Sequence, residues 1–339
     1  MNICNIHMPE ELIAQHPVHE RDLCRLLVLN KSTGSIEHKR FKDIISYFKK
    51  GDVLVLNDSK VVNARFIAHK VTGGAAELFL LRPKTGDLTV WHCLIKGKNI
   101  KTGSLLIIDD TNIQISVASK LDDGTYTVSF PVNSDVTSIM DQYGQLPLPP
   151  YVKHEPEAED REYYQTVFAK VPGSVASPTA ALHFTPDLLS EIKNNGVDVV
   201  CVTLHVGYGT FSIVRDLDHH IMHEETYSVP KTIEAVLNNC RKNGNKIWAV
   251  GTTVVRTLES AFNDELKLVN PVGATKLFIR PGYKFKVVDN LVTNFHHPST
   301  TLIHLVAAFA GEENICLSYK EAVHERYRML SYGDSMTVI

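Results

Sequence analysis

The sequence predicts an α/β protein: a layered αβα sandwich domain carrying an inserted small six-stranded β-barrel. Three observations lead there. The second half of the chain alternates helical and strand patterns. Residues 64–130 hold six short strand-like runs between turn clusters, with no helical period. Both flanks of that stretch read as α/β, so the barrel is an insertion. The expected boundaries are 1–62 with 148–339 for the discontinuous sandwich and 63–147 for the barrel.

Taken in order, residues 8–15 (MPEELIAQ) read as a short helix and Leu26 to Leu29 as an apolar strand. Residues 42–49 place Ile44, Ile45 and Phe48 on one helical face. Val53 to Leu56 is a continuous apolar run of the kind a buried strand shows, ending in Asn57-Asp58-Ser59-Lys60. The six barrel runs are RFIAHKV, AELFLLR, LTVWHCLI, SLLIID, NIQISVA and TYTVSF. A helix over 135–143 follows, then the stiff GQLPLPPY segment, which leads back to the sandwich. HEPEAEDRE (154–162) reads as a solvated loop.

Beyond it, Thr185-Pro186 is an N-cap with proline at the first helical position, and Gly196 is a C-terminal stop. Strand 197–206, helix 230–243 and strand 246–250 follow, and the last breaks at Gly251-Thr252-Thr253 into the helix VVRTLESAF. Strands are expected near 276–279 and 285–288, around the loop Arg280-Pro281-Gly282-Tyr283. Helices are expected over TTLIHLVAAFAG and over 319–330.

The 339 residues, 44% hydrophobic and 22% charged, have a globular composition with room for two cores. No apolar run approaches the 18 residues of a membrane span, and the first 15 residues lack the basic-then-apolar pattern of a signal peptide. Six scattered cysteines with no C-x-x-C pair fit reduced thiols in a cytoplasm, with neither a disulfide framework nor a thiolate zinc site. A net charge of −3 excludes a generally basic nucleic-acid coat, while leaving room for a local basic patch.

Several residues can carry chemistry. Gly251-Thr252-Thr253 opens a helix directly after a buried strand, so free N–H groups and two hydroxyls suit an anion, with Arg256 one turn on. The same pattern also serves a helix start that binds nothing. Gly207-x-Gly209-Thr210 follows a strand without opening a helix, which suits either close approach to a planar ligand or a plain turn. G-x-G-x-x-G and the P-loop pattern are absent.

His183, His205, His223 and His296 fall at expected element ends, where imidazole serves as acid, base or structural hydrogen-bonding group. No H-x-x-x-H or H-E-x-x-H pair occurs, so no metal site is expected. Lys96, Lys98 and Lys101 make one basic turn of the barrel and Arg82 with Lys84 another, fit to grip a polyanion or simply solvated.

The ordered blocks LIAQHPVHERDLCRLLV, GDVLVLNDSKVVNAR, GQLPLPPYV, YYQTVFAKVPGSVASPTAALHFT, VTLHVGYGTF, MHEETY, AVGTTVVRTLES, FIRPGYKF, VTNFHHPSTTLIHLVAAFAG and SYGD span nearly the whole chain. In these blocks the sequence resembles the S-adenosylmethionine:tRNA ribosyltransferase-isomerase family of queuosine biosynthesis. The resemblance implies a sandwich with a barrel. It also implies transfer and isomerisation of the ribosyl part of S-adenosylmethionine onto 7-aminomethyl-7-deazaguanine at the tRNA wobble position, giving epoxyqueuosine, adenine and methionine. S-adenosylmethionine is then a consumed co-substrate, with no further cofactor. The partners are that tRNA and S-adenosylmethionine, with no membrane, and the enzyme is expected to be a cytoplasmic monomer.

Such a reaction needs a base beside the sulfonium, for which His205 or His183 is the expectation, with Glu224 or Asp58 as alternatives. Gly251-Thr252-Thr253 and Arg256 are expected to hold the methionine carboxylate. Arg280, Gly282, Tyr283, Asn294 and His296 are expected to line the sugar or deazaguanine pocket, together with Thr179, Thr185, Gly207, Gly209, Thr210 and His223. Lys60, Arg65, Lys96, Lys98 and Lys101 are the expected tRNA contacts. Departures from the family pattern are Cys24 for serine, Ser59-Lys60 for Thr-Arg, Ser177 for alanine, Ala181 for glycine, His297 for an apolar residue and Thr300 for serine. Lys60 loses a bidentate fork and Ala181 adds a methyl beside His183. A tRNA-binding protein without catalysis and an S-adenosylmethionine-dependent RNA methyltransferase are the rival readings. The methyltransferase lacks its glycine-rich loop after a first strand.

Overall fold

In the computed structural model, residues 3, 6–84, 86–207, 209 and 222–339 are described. The chain opens with strands β1 (Arg25–Leu29) and β2 (Ile36–Arg40), a 3-10 helix over Phe41–Tyr47, and strands β3 (Val53–Asn57) and β4 (Ser59–Val61). β3 reads VLVLN and is buried at every residue, as a strand covered on both faces must be.

The next six strands are β5 (Arg65–Lys70), β6 (Ala75–Lys84), β7 (Asp87–Gly97), β8 (Leu105–Ile108), β9 (Gln114–Lys120) and β10 (Tyr126–Ser129). They close into a barrel in the order β10-β7-β6-β5-β8-β9, through antiparallel pairs. Alternate residues such as Phe66, Ala68, Leu78, Leu80, Leu106 and Ile108 fill its interior, and closure removes the exposed edges that short strands would otherwise leave. Helix α1 (Val136–Tyr143), capped by the Asp135 side chain, adds Val136 and Met140 to that core.

The acidic 154–162 segment is not the solvated loop expected. It holds a short helix, α2 (Ala158–Tyr163), whose Asp160 is buried. The Asp160 carboxylate accepts the Tyr332 hydroxyl at 2.6 Å and the Glu157 amide at 2.9 Å, partners that a sequence window cannot show. Then come β11 (Val171–Ser174), paired with β4, helix α3 (Pro186–Asn194) and strands β12 (Asp198–Leu204) and β13 (Glu225–Ser228). The chain ends with helix α4 (Thr232–Lys242), strand β14 (Ile247–Val250), helix α5 (Thr252–Ala261), strands β15 (Val272–Thr275) and β16 (Asn290–Asn294), helices α6 (Thr301–Ala310) and α7 (Glu312–His324), and strand β17 (Ser335–Val338).

Nine of these strands form one mixed sheet, ordered β15-β13-β12-β3-β14-β16-β17-β1-β2. Its two faces bury separate cores. Val53, Val55, Ala249 and Leu291 point toward Leu237 of α4, Leu258 of α5, Val306 of α6 and Tyr319 of α7. Leu54, Leu56, Trp248 and Val250 point toward Phe41, Ile44 and the α3 residues Leu188 and Ile192. This is the αβα sandwich, and the barrel is its insertion.

Several local expectations differ. Residues 8–15 form only a 3-10 turn at Glu10–Leu12. The last helix spans Glu312–His324, not 319–330: it starts directly after Gly311 at φ 89° and stops before Arg326 at φ 54°. Residues 276–279 and 285–288 are irregular where strands were expected. There the Glu259 carboxylate of α5 accepts the amides of Lys286, Val287 and Val288 at 2.9–3.3 Å, the groups a strand would have offered to a neighbour. Cys24, Cys93, Cys201 and Cys240 are free thiols, but Cys316 is disulfide-bonded, which corrects the expectation of six reduced thiols. Among the described residues no helix is long and apolar enough to cross a membrane.

Candidate active site

β12, β3, β14 and β16 run parallel to one another, so their carboxyl ends open on one edge of the sheet, where ligands of such sheets sit. β17 runs antiparallel to β16, which brings Leu330 and Ser331, just before it, to the same edge. A cavity of about 260 Å³ lies there.

One wall is the β14–α5 junction, Gly251, Thr252 and Thr253. Gly251 has φ 89°, a region that costs other residues strain, and it lets the strand turn straight into the helix. Among the described residues no side chain caps α5, so its first-turn N–H groups stay open to an anion. Asn57, buried at the end of β3, binds Leu204 of β12 through both amide atoms at 3.0 Å and donates to Thr253 Oγ1 at 3.4 Å. It thereby ties the helix start to two strands.

The facing wall is Thr293, Asn294, His296 and His297 at the end of β16. Tyr319 of α7 clamps it: its hydroxyl accepts the His296 amide at 2.7 Å and donates to the His296 carbonyl at 3.2 Å. His296 Nε2 lies 2.8 Å from Thr293 Oγ1, which is also 3.4 Å from the Asn294 carbonyl. Either atom of the His296–Thr293 pair can be the donor; in the tautomer that donates through Nε2 the lone pair is on Nδ1, which makes no hydrogen bond among the described residues. Burial lowers its pKa to about 4, so the imidazole is neutral. His297 accepts the Ser299 amide on Nδ1 at 3.2 Å. No carboxylate is among the described lining residues, which leaves the imidazoles of His296 and His297 as the basic groups of the wall.

A family model described as queuosine biosynthesis protein matches residues 4–338. The chain belongs to that queuosine biosynthesis family. It is also similar to the solved structure of S-adenosylmethionine tRNA ribosyltransferase from Thermotoga maritima: 38% identical over 98% of this chain and 99% of that one, with a TM-score of 0.56.

In this queuosine biosynthesis family member the cavity gathers Thr179, Gly251, Thr252, Thr253, Asn294 and His296 from the expected site residues. Others lie elsewhere. His183 is buried behind Asn294, between Cys24 and Asn294. His205 turns away from its cavity-lining neighbour Val206 and packs against Gly173, where a Cβ would come within 2.8 Å of the ring. Its Nδ1 is buried without a partner among the described residues, and burial, partly offset by Asp58, lowers its pKa.

Asp58 accepts the Thr203 hydroxyl at 2.6 Å. Glu224 is exposed and bridges Arg82 of the barrel, at 3.3 Å, to Lys276, at 3.6 Å. Arg256 is not open to a carboxylate ligand: it forms a buried ion pair with Glu225 and donates to the Leu277 and Thr275 carbonyls. Glu225 in turn accepts the Gly207 amide at 2.9 Å. A Cβ on Gly209 would lie 2.2 Å from the His223 ring, so glycine there permits the packing. Thr210 lies outside the described residues.

Thr185 caps α3 through the Leu188 amide. Gly282 at φ 97° shapes the turn that brings the Tyr283 hydroxyl to Glu259 at 3.2 Å, and Arg280 is exposed beside it. Lys60, Lys96, Lys98 and Lys101 are exposed, whereas Arg65 pairs with Glu77 at 2.8 Å and Glu155 at 2.5 Å. Sequence reasoning did not assign Tyr151 and Ser331, which hydrogen-bond to each other on the cavity wall, nor Ser177, His297 and Thr300. The GQLPLPPY, SYGD and HHPSTT blocks carried the signal for four of these, and the GSVASPT run for Ser177.

Proposed function

We propose that the cavity binds S-adenosylmethionine and that the protein transfers its ribosyl moiety to the aminomethyl group of 7-aminomethyl-7-deazaguanine at the tRNA wobble position, isomerising the sugar to an epoxycyclopentane and releasing adenine and methionine. The likeness to the Thermotoga maritima ribosyltransferase over the whole chain carries this reading. The cavity fits it. The uncapped start of α5 is matched to the carboxylate of the methionine part. His296, neutral and in the tautomer that donates through Nε2 to Thr293, takes the proton beside the sulfonium, whose positive sulfur acidifies it. His297, whose proton lies on Nε2 because Nδ1 accepts the Ser299 amide, donates to the departing adenine. S-adenosylmethionine is consumed, and no further cofactor enters. The exposed barrel lysines Lys96, Lys98 and Lys101, with Lys60, meet the tRNA backbone, and the reaction belongs to the cytoplasm.

The test is to incubate the protein with S-adenosylmethionine and tRNA bearing the aminomethyl base, then analyse small molecules and digested nucleosides by mass spectrometry. Equimolar adenine and methionine with an epoxycyclopentane nucleoside are expected. S-adenosylhomocysteine with a methylated nucleoside would refute the reading.

A further inference from the structure

His183 is held in one tautomer. Asn294 Nδ2 donates to the Leu330 carbonyl at 3.2 Å, and a carbonyl can only accept, which fixes the nitrogen side of the amide. Nδ2 also lies 3.2 Å from His183 Nε2, so that ring nitrogen receives a proton and carries none. The imidazole proton is then on Nδ1, facing Cys24 Sγ at 3.2 Å. The ring is 5% exposed and packs against Phe41. Burial first, then the charges of Arg21 and Arg328, lower its pKa to about 3, so it gains no second proton near neutrality.

With both Nδ2 protons committed, Asn294 keeps Oδ1, a buried acceptor without a partner among the described residues, on a side chain that belongs to the cavity wall. A buried acceptor left unmet is costly unless a ligand meets it.

We propose that His183 is a positioning residue: Cys24 and His183 hold the Asn294 amide so that Oδ1 serves as a fixed acceptor for an N–H or O–H donor of the substrate. This rests on the S-adenosylmethionine reading, in which the donor is either the adenine amine or a ribose hydroxyl. The base role expected of His183 passes to another imidazole, because its one lone pair is occupied by Asn294.

The test compares kcat and KM for S-adenosylmethionine in wild type, His183→Gln, His183→Leu, Cys24→Ser and Cys24→Val, across pH. Glutamine keeps an acceptor for Asn294, and serine keeps a partner for Nδ1. Both are expected to retain most turnover with an unchanged pH profile, while leucine and valine raise KM about tenfold. Analogues lacking the adenine amine, the 2′-hydroxyl or the 3′-hydroxyl identify the donor: one of them costs wild type about tenfold in KM and costs His183→Leu nothing further.

A His183→Gln protein that binds S-adenosylmethionine normally but does not turn over would make His183 the base and overturn the proposal. So would a folded His183→Leu with wild-type KM. If His183→Leu does not fold, the analogue series on wild type decides, and equal treatment of all three overturns it. If wild type releases no adenine, the ribosyltransferase reading fails, and calorimetric S-adenosylmethionine affinities of the same variants still read the relay.

Discussion

His296 and His183 are both buried imidazoles, yet their hydrogen bonds give them opposite capacities. Among the described residues His296 has one ring nitrogen engaged, Nε2 by Thr293, whereas His183 has both. His296→Ala should therefore lower turnover at least about a hundredfold while S-adenosylmethionine affinity changes little, measured by adenine release and calorimetry. The two rings also set an acid limit on stability. Their folded pKa values, about 3 and about 4, lie below the 6.5 of an unfolded histidine, so the unfolded chain binds protons first. Stability is full above pH 6.5 and falls as pH drops toward the folded values, by up to about 1.4 kcal/mol per pH unit and histidine. Urea unfolding at pH 7 and pH 5 should show that loss, and His183→Gln should reduce it. His154 acts in the other sense. Burial opposes its charge, but the Glu155 and Gln15 carbonyls and the carboxylates of Asp160 and Glu157 outweigh that and raise its pKa. Its contribution is complete below 6.5 and is lost as pH rises through the folded value.

Among the elements, α5 does two jobs through one turn each. Its start walls the cavity, and Glu259 near its end organises 283–288. Glu259→Ala would leave three backbone amides without their acceptor and should destabilise the protein by about 3 kcal/mol, seen as a lower urea midpoint with an unchanged slope. Residues 283–288 also depend on partners that no sequence window contains. The barrel strands were legible because each alternates inward and outward residues between glycine-rich turns, and α5 because Gly251-Thr252-Thr253 marks its start. Residues 285–288 look like a strand until a carboxylate from another element claims their amides. β2 (IEHKR) is almost wholly exposed and carries no apolar pattern. The site shows the same division. The Gly251 and Asn294 segments were legible as walls, but Arg256, correctly placed one turn into α5, points to a buried Glu225 that lies in another strand.

For the whole molecule, the barrel presents exposed Lys96, Lys98 and Lys101 while its Arg82 reaches Glu224 beside the sheet. A triple exchange of these lysines for glutamate should raise KM for tRNA about tenfold or more and flatten its salt dependence, leaving S-adenosylmethionine binding intact. The chemistry is tested most directly by a tracer experiment. S-adenosylmethionine carrying ¹⁴C in the ribose and ³H in the methyl group is incubated with the enzyme and the aminomethyl-bearing tRNA. Ribose ¹⁴C should enter the tRNA while methyl ³H leaves as methionine. Methyl ³H on the tRNA, with ¹⁴C left in solution, would contradict ribosyl transfer.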